Sequence, residues 1–258
     1  MMTPTTTDTA RPRDSISTAI KDAAASGRPA VVGFMTAGFP DRAHFTQNLR
    51  AIATEADVVE IGVPFSDPMA DGATIQRASF ASLQGGFTLR WLLDELEAMQ
   101  PRPQAPVLLM SYLNPLLAFG LERLPEAARK AGVSGFIIPD LPYEESADMR
   151  AALDRVGIAL VQMVTPVTPD ARLKMLCEAS QGFVYAVTMT GTTGKSVAVP
   201  DEVLDYMDRV QSMSPVPVCA GFGIRTAEQV SRMRGHVDGV VVGSALVEQL
   251  ESGGDPVA

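Results

Sequence analysis

An eightfold alternation of apolar runs and amphipathic segments is the feature that most restricts how this chain can fold. The runs are short and rich in Val and Ile, which is typical of parallel strands buried on both faces. The alternation predicts an α/β fold, a closed (β/α)8 barrel of the TIM type. The eight predicted strands are residues 30–35, 58–61, 107–110, 135–138, 159–164, 183–187, 216–220 and 239–242.

The alternative is an open doubly wound sheet, which places a Gly-x-Gly-x-x-Gly turn after its first strand. Here the first run continues into Thr36-Ala-Gly-Phe-Pro, so that fingerprint is absent. We also expect a helix over residues 15–25 to close the bottom of the barrel, because Ile16 and Ile20 share one helical face. Residues 1–14 read as a disordered polar tail and 15–258 as a single barrel domain. Helical patterns between the strands cover residues 41–53, 91–99, 122–131, 144–156, 169–179, 201–210 and 227–233.

The amino-acid composition argues against several classes of protein. Hydrophobic residues make up 46% of the 258 residues, enough for a large core, and the net charge of -9 argues against nucleic-acid binding. Two cysteines and two histidines, all scattered, predict neither a disulfide framework nor a metal site. The start of the chain does not resemble a signal peptide and no apolar run is long enough for a membrane span, so we expect a cytoplasmic protein.

Glu60 and Asp71 are the candidate catalytic residues. Glu60 ends an apolar strand, where the backbone is fixed, and its flanks Val59 and Ile61 predict a carboxyl group inside the barrel mouth. Burial there raises a carboxyl pKa and makes the group usable as an acid as well as a base. Asp71 follows on a loop that can move, although taken alone it is an ordinary turn residue before Gly72. Together they suit acid–base chemistry on a carbon skeleton.

The remaining strand ends predict what the site binds. Glycine lets backbone N–H groups approach an anion, and a helix N-terminus attracts negative charge, so we expect a phosphate at one side of the rim. Aromatic side chains around the same rim indicate a flat aromatic substrate, although each alone is more typical of core. The phosphate residues are Gly194, Gly223, Gly243 and Ser244, and the aromatic residues are Phe34, Tyr112, Tyr185 and Phe222.

Several segments resemble one known family, the tryptophan synthase α subunits. The most specific is Glu60-Ile-Gly-Val-Pro-Phe-Ser-Asp-Pro-Met-Ala-Asp-Gly-Ala-Thr-Ile-Gln76. The family's order is followed by Leu109-Met-Ser-Tyr-Leu-Asn-Pro115, Ile138-Pro-Asp-Leu-Pro142, Val218-Cys-Ala-Gly-Phe-Gly-Ile224 and Val241-Val-Gly-Ser-Ala245. The resemblance extends from about residue 16 to 250, and the glycine-rich loops are shared by many phosphate-binding barrels.

This resemblance implies retro-aldol cleavage of indole-3-glycerol phosphate to indole and glyceraldehyde 3-phosphate. By resemblance, Glu60 would protonate indole C3 and take the proton from the glycerol hydroxyl, and Asp71 would hold the indole N–H. Thr193 would bond Asp71 when the loop after the sixth strand closes, and the aromatic and phosphate residues named above would hold the substrate. The expected partner is a β subunit carrying pyridoxal phosphate, in an α2β2 complex that faces Asp67, Asn114 and Asp140. The chain itself would need no cofactor.

Two departures from the family pattern alter these expectations. Thr192 stands where many relatives have Val, and Lys195 stands where they have a small or acidic residue. Both residues lie on the loop after the sixth strand, so they change the segment that would close, and Lys195 is a hypothetical extra contact to the phosphate. Relatives also continue through a last amphipathic helix, whereas this sequence stops at 258, so thin cover of the barrel wall beside the first strand is expected.

Three functional hypotheses remain open at the level of sequence. The favoured one is a lyase subunit that passes indole to its partner. The second is a stand-alone indole-3-glycerol phosphate lyase that releases free indole. The third is a non-catalytic subunit that binds the ligand and activates the partner, which the presence of both Glu60 and Asp71 disfavours.

Overall fold

The strands form a closed parallel barrel in the order β1 to β8, as the sequence predicts. The computed structural model describes residues 11–188, 199–221 and 223–256. Each strand is hydrogen-bonded to its sequence neighbours, and β1 pairs with β8 to close the sheet. The strands are β1 Ala30–Thr36, β2 Val58–Gly62, β3 Val107–Met110, β4 Val133–Ile137, β5 Ala159–Val164, β6 Val184–Val187, β7 Val218–Gly221 and β8 Gly239–Val242.

Helices surround the barrel and connect successive strands. A short 3-10 turn at Tyr143–Glu145 precedes the seventh helix. The helices are α1 Pro12–Ala25, α2 Phe45–Glu55, α3 Ala73–Gln84, α4 Leu89–Ala98, α5 Leu113–Phe119, α6 Leu124–Lys130, α7 Ala147–Arg155, α8 Asp170–Ala179, α9 Asp201–Met213, α10 Ala227–Met233 and α11 Ser244–Glu251.

Helices α3 and α5 were not predicted, and their composition explains why. The buried residues of α3 are Ala78, Ser79 and Ser82, and these small side chains do not produce a clear apolar helical period. Helix α5 contains Pro115, which reads as a turn signal but is tolerated in a first turn, where no intrahelical N–H bond is lost. Both helices follow strands that carry site residues, so they position the loops of the site.

Helix α1 closes the bottom of the barrel, as expected, although it begins at Pro12 rather than Ser15. Residues 12–14 therefore belong to the helix and not to a polar tail. Ile16 and Ile20 are fully buried. A Cβ atom placed on Gly135 or on Gly182 would lie 3.1 or 3.2 Å from an Ile16 carbon, so these glycines admit the isoleucine at the barrel floor.

The wall beside β1 is well covered among the described residues, so the expectation of thin cover is wrong. Helices α2 and α11 both pack against β1. A Cβ atom on Gly33 would lie 2.8 Å from Ile52 on α2 and 3.6 Å from Leu246 on α11. Because Gly33 faces outward, the alternation along the strand directs Phe34 inward.

We expect Ile16→Ala to lower the free energy of unfolding by about 2–5 kcal/mol, because it leaves a cavity under the barrel. Urea unfolding measures the change. Thr18→Ala, on the exposed face of the same helix, is the matched control and should stay within about 0.5 kcal/mol of the original chain. Equal effects of the two substitutions would show that α1 does not seal the barrel.

Candidate active site

Glu60 lies in the interior of the barrel. Its register partner on β1 is Phe34, and neighbouring residues in register point to the same side of a sheet. The residue is 1% exposed, and its Oε2 atom is buried with no hydrogen-bond partner in the described part of the chain. Burial, and then the negative charge of Asp71, raise the pKa of Glu60 to about 8. The carboxyl group is therefore mostly protonated at neutral pH.

A glycine makes room for an aromatic ring beside this carboxyl group. A Cβ atom on Gly62 would lie 2.5 Å from Cζ of Phe34, so a larger residue would displace the ring. Gly62 is the next inward position along β2 after Glu60, nearer the open end of the barrel. Phe34 thus covers the backbone just above Glu60 and shields the carboxyl group from water.

Tyr185 is accommodated in the same way on the other side of the barrel. A Cβ atom on Gly221 would lie 2.3 Å from Cε1 and 2.4 Å from Oη of the tyrosine. Tyr185 is 3% exposed, and its pKa is raised by burial and then by the charge of Glu60. The two groups therefore share the dry interior, in which electrostatic effects are strong.

Asp71 is held on the loop of residues 63–72, between β2 and α3. Its Oδ1 atom accepts a hydrogen bond from Oη of Tyr112 at 3.0 Å, and its backbone carbonyl accepts one from Gln76 Nε2 at 2.8 Å. The Tyr112 oxygen in turn accepts the N–H of Ala70 at 2.9 Å. Burial raises the pKa of Asp71, and the hydrogen bond from Tyr112 opposes that rise. Both side chain and backbone of this residue are thus fixed.

A cavity at the open end of the barrel brings Phe34, Asp71 and Tyr112 together. It encloses about 310 Å³, counting the part that is open to solvent. Glu60 does not line the cavity itself, because it is one inward position deeper than the lining residue Gly62 and is almost fully buried. The lining residues are Phe34, Gly62, Val63, Asp71, Ile75, Ser79, Met110, Ser111, Tyr112 and Pro139.

The phosphate candidates lie at the ends of β7 and β8. Gly223 is exposed and has φ of +86°, a conformation that glycine adopts without strain. Gly243 is the N-cap of α11, and Ser244 is the first residue of that helix, so backbone N–H groups face outward there. Thr193, Gly194, Lys195 and Phe222 lie outside the described residues.

The three residues expected at a partner interface lie at the open end of the barrel, either on its loops or next to them. Asp67, on the Asp71 loop, and Asn114, in the first turn of α5, are exposed. Asp140 also stabilises the start of α5, because its Oδ1 accepts a hydrogen bond from the backbone N–H of Leu113 at 2.8 Å. It therefore caps the first turn of α5.

Sequence reasoning missed the glycines that shape the interior, Gly62 and Gly221. The signal was present, because each ends a strand and directly precedes a loop of the site. The hydrogen bond between Tyr112 and Asp71 was missed too, since Tyr112 was predicted only to line an aromatic site. No sequence signal reveals this bond, because it joins residues 41 positions apart.

Metal binding and membrane insertion find no support in the described residues. Across residues 11–188, 199–221 and 223–256, no group of three or more His, Cys, Asp or Glu residues could hold a metal ion. No helix within these ranges is long and apolar enough to cross a membrane.

The family model and the curated relatives that match this chain name one family. Residues 20–256 match the family model described as tryptophan synthase alpha chain. The chain is 44% identical over 237 residues to the alpha chain of Nitratidesulfovibrio vulgaris, which covers 92% of both chains. It is 44% identical over 234 residues to that of Bacillus thuringiensis, covering 90% of this chain and 91% of the relative.

Solved structures of this family have the same fold. Tryptophan synthase from M. tuberculosis, in an open form, superposes with a TM-score of 0.84 at 32% identity, over 94% of this chain and 93% of the other. A chain of the tryptophan synthase a2b2 complex from Pyrococcus furiosus gives 0.83 at 34% identity, over 90% and 94%. The buried glutamate, the loop aspartate and these similarities lead to one conclusion: the chain belongs to the tryptophan synthase alpha chain family.

Proposed function

We propose that this chain is the cytoplasmic lyase subunit that cleaves indole-3-glycerol phosphate to indole and glyceraldehyde 3-phosphate in tryptophan biosynthesis. The observation that carries the proposal is the carboxyl group of Glu60, which is buried one inward position below the cavity-lining Gly62 and whose Oε2 has no hydrogen-bond partner in the described part of the chain. Leaving a buried polar group unpaired is costly, and a substrate group that bonds to it removes that cost.

Glu60 can serve as both the acid and the base of a retro-aldol cleavage. With a pKa raised to about 8, it carries a proton at neutral pH and can donate it to indole C3. The carboxylate so formed then takes the proton of the glycerol hydroxyl, and the bond between the glycerol chain and C3 breaks. Its electron pair returns to the ring to give indole, the hydroxyl carbon becomes the aldehyde, and Glu60 recovers its proton.

Asp71 stabilises the intermediate of this reaction. Protonation at C3 places positive charge on the indole ring, mainly at its nitrogen. A fixed carboxylate that accepts the indole N–H lowers the energy of that cation without reorganising during the step. The position of Asp71 in the lining of the cavity, with Oδ1 held by Tyr112, supports this role.

Phe34, Tyr112 and Tyr185 suit the flat indole ring, because they surround the same interior with aromatic faces and edges. The glycines at the ends of β7 and β8 and the start of α11 suit the phosphate. We include Thr193, Gly194 and Phe222 in this substrate site on the basis of the family resemblance alone.

We further propose an α2β2 assembly in which indole passes to a β subunit. The support is the resemblance to chains of complexes such as that of Pyrococcus furiosus, together with the exposed positions of Asp67 and Asn114. Asp140 joins this surface through its bond to the start of α5. Pyridoxal phosphate would belong to the β subunit, and the cleavage derived above requires no cofactor in this chain.

We expect Glu60→Gln to abolish cleavage while stabilising the fold. The amide can neither donate nor accept the proton, so turnover should fall at least about 100-fold. Because the folded pKa is raised from 4.5 to about 8, the original chain loses stability as pH rises between these values. The variant should therefore match the original below about pH 4.5 and exceed it by up to about 4 kcal/mol at pH 8. Urea unfolding at pH 4 and pH 8, with a cleavage assay, measures both effects.

Glu97→Gln is the matched control, because Glu97 is an exposed residue of α4 on the outside of the barrel. It should change neither turnover nor the pH dependence of stability. Near-normal cleavage by Glu60→Gln would overturn the assigned chemistry. A variant no more stable than the original at pH 8 would show that Glu60 is not buried in a site that favours its neutral form.

We expect addition of the β subunit from the same organism to accelerate cleavage of indole-3-glycerol phosphate about 10-fold or more, through coupling of the two sites. The assay compares the rate with and without the β subunit, and Glu60→Gln with the β subunit supplies the background. Equal rates would favour the stand-alone lyase. No cleavage under either condition, with ligand still bound, would favour a non-catalytic activator.

A further inference from the structure

We propose that the hydroxyl group of Tyr112 is a positioning group that fixes the carboxylate of Asp71 for the reaction, a role distinct from lining the cavity with its ring. This inference rests on the proposed function, because it assigns how Asp71 is held in that site.

The hydroxyl connects two consecutive residues of the loop to the rigid barrel. Tyr112 follows β3, is the N-cap residue of α5 and is only 5% exposed. Its Oη donates to Asp71 Oδ1 at 3.0 Å and accepts the N–H of Ala70 at 2.9 Å. One oxygen thus fixes both the side chain of Asp71 and the backbone just before it.

The ring of the same tyrosine contacts the other end of the loop. The ring centroids of Phe65 and Tyr112 are 5.4 Å apart. Between these contacts the loop is open to water, since Met69 is 80% exposed and Asp67 is exposed. The hydrogen bonds from Tyr112 and Gln76 therefore restrain Asp71 at the end of an exposed stretch of loop.

The hydrogen bond also favours the form of Asp71 that the reaction needs. A donor to a carboxylate stabilises its ionised form, and only that form can stabilise a cationic indole. Burial raises the pKa of Tyr112 to about 12, so the phenol keeps its proton and remains a donor throughout the working range of pH. The hydroxyl therefore both orients the carboxylate and counteracts its burial.

Tyr112→Phe separates the hydroxyl from the ring, because phenylalanine keeps the ring in the cavity wall. With the full chain and its β subunit, we expect kcat to fall about 10-fold and KM to change less than about 2-fold. The acid limb of the kcat/KM profile should move to higher pH, because Asp71 without its donor ionises less readily. A loss that is merely structural would leave that limb in place.

A double-mutant cycle tests whether Tyr112 acts through Asp71. In an Asp71→Asn background, adding Tyr112→Phe should lower kcat by less than about 2-fold, because the carboxylate to be positioned is gone. Tyr206→Phe is the control, since its buried hydroxyl has no hydrogen-bond partner among the described residues, and it should leave kcat and the pH profile unchanged.

Two results would overturn the inference, and they differ from failure of the proposed function. Tyr112→Phe with unchanged kcat and an unmoved acid limb would show that the hydroxyl does not position Asp71. An equal loss in both backgrounds would show that Tyr112 acts independently of it. Normal turnover by Asp71→Asn alone would instead overturn the catalytic role of Asp71, and with it the need for a positioning group.

Discussion

The carboxyl group of Glu60 is enclosed by the barrel and favours its neutral form, and the other features of the site depend on that enclosure. An ionised carboxylate in such a place would be costly, so the group retains its proton until about pH 8. A carboxylic acid of this kind can protonate a carbon atom at neutral pH, which an ordinary exposed glutamate cannot do efficiently. Burial of this acid lowers the stability of the fold at high pH, and the same burial gives Glu60 the raised pKa that the reaction uses.

The barrel produces this environment by combining large rings with glycines. Phe34 and Tyr185 extend over neighbouring strands, and only Gly62 and Gly221 leave space for them there. Asp71 differs from Glu60 because it lies on a loop, and a hydrogen bond opposes the effect of its burial. Burial raises the pKa of both carboxyl groups, but only that of Asp71 is lowered in part by a hydrogen bond, and this difference assigns Glu60 as the acid and Asp71 as the charge-stabilising group.

Much of the fold could be predicted from the sequence, because each strand is an uninterrupted apolar run that only a sheet buried on both faces can accommodate. Helices α3 and α5 escaped prediction because small buried residues and Pro115 hid their helical period. The interior position of Glu60 followed from its apolar neighbours on β2. The contact between Tyr112 and Asp71 could not be predicted, because it depends on the path of a loop that local sequence does not determine. Thr193, Gly194 and Phe222 remain predictions from the family resemblance.

The protonation state of Glu60 decides whether the enclosed carboxyl group can begin the reaction as an acid. Infrared difference spectroscopy of the full chain against Glu60→Gln follows the carboxylic acid band of this one residue as pH is raised. We expect a protonated acid at pH 6 to 7 that ionises near pH 8, in keeping with the raised pKa. An ionised carboxylate already at pH 6 would contradict this expectation, because Glu60 would then be an ordinary solvated acid and could not begin the reaction as a proton donor.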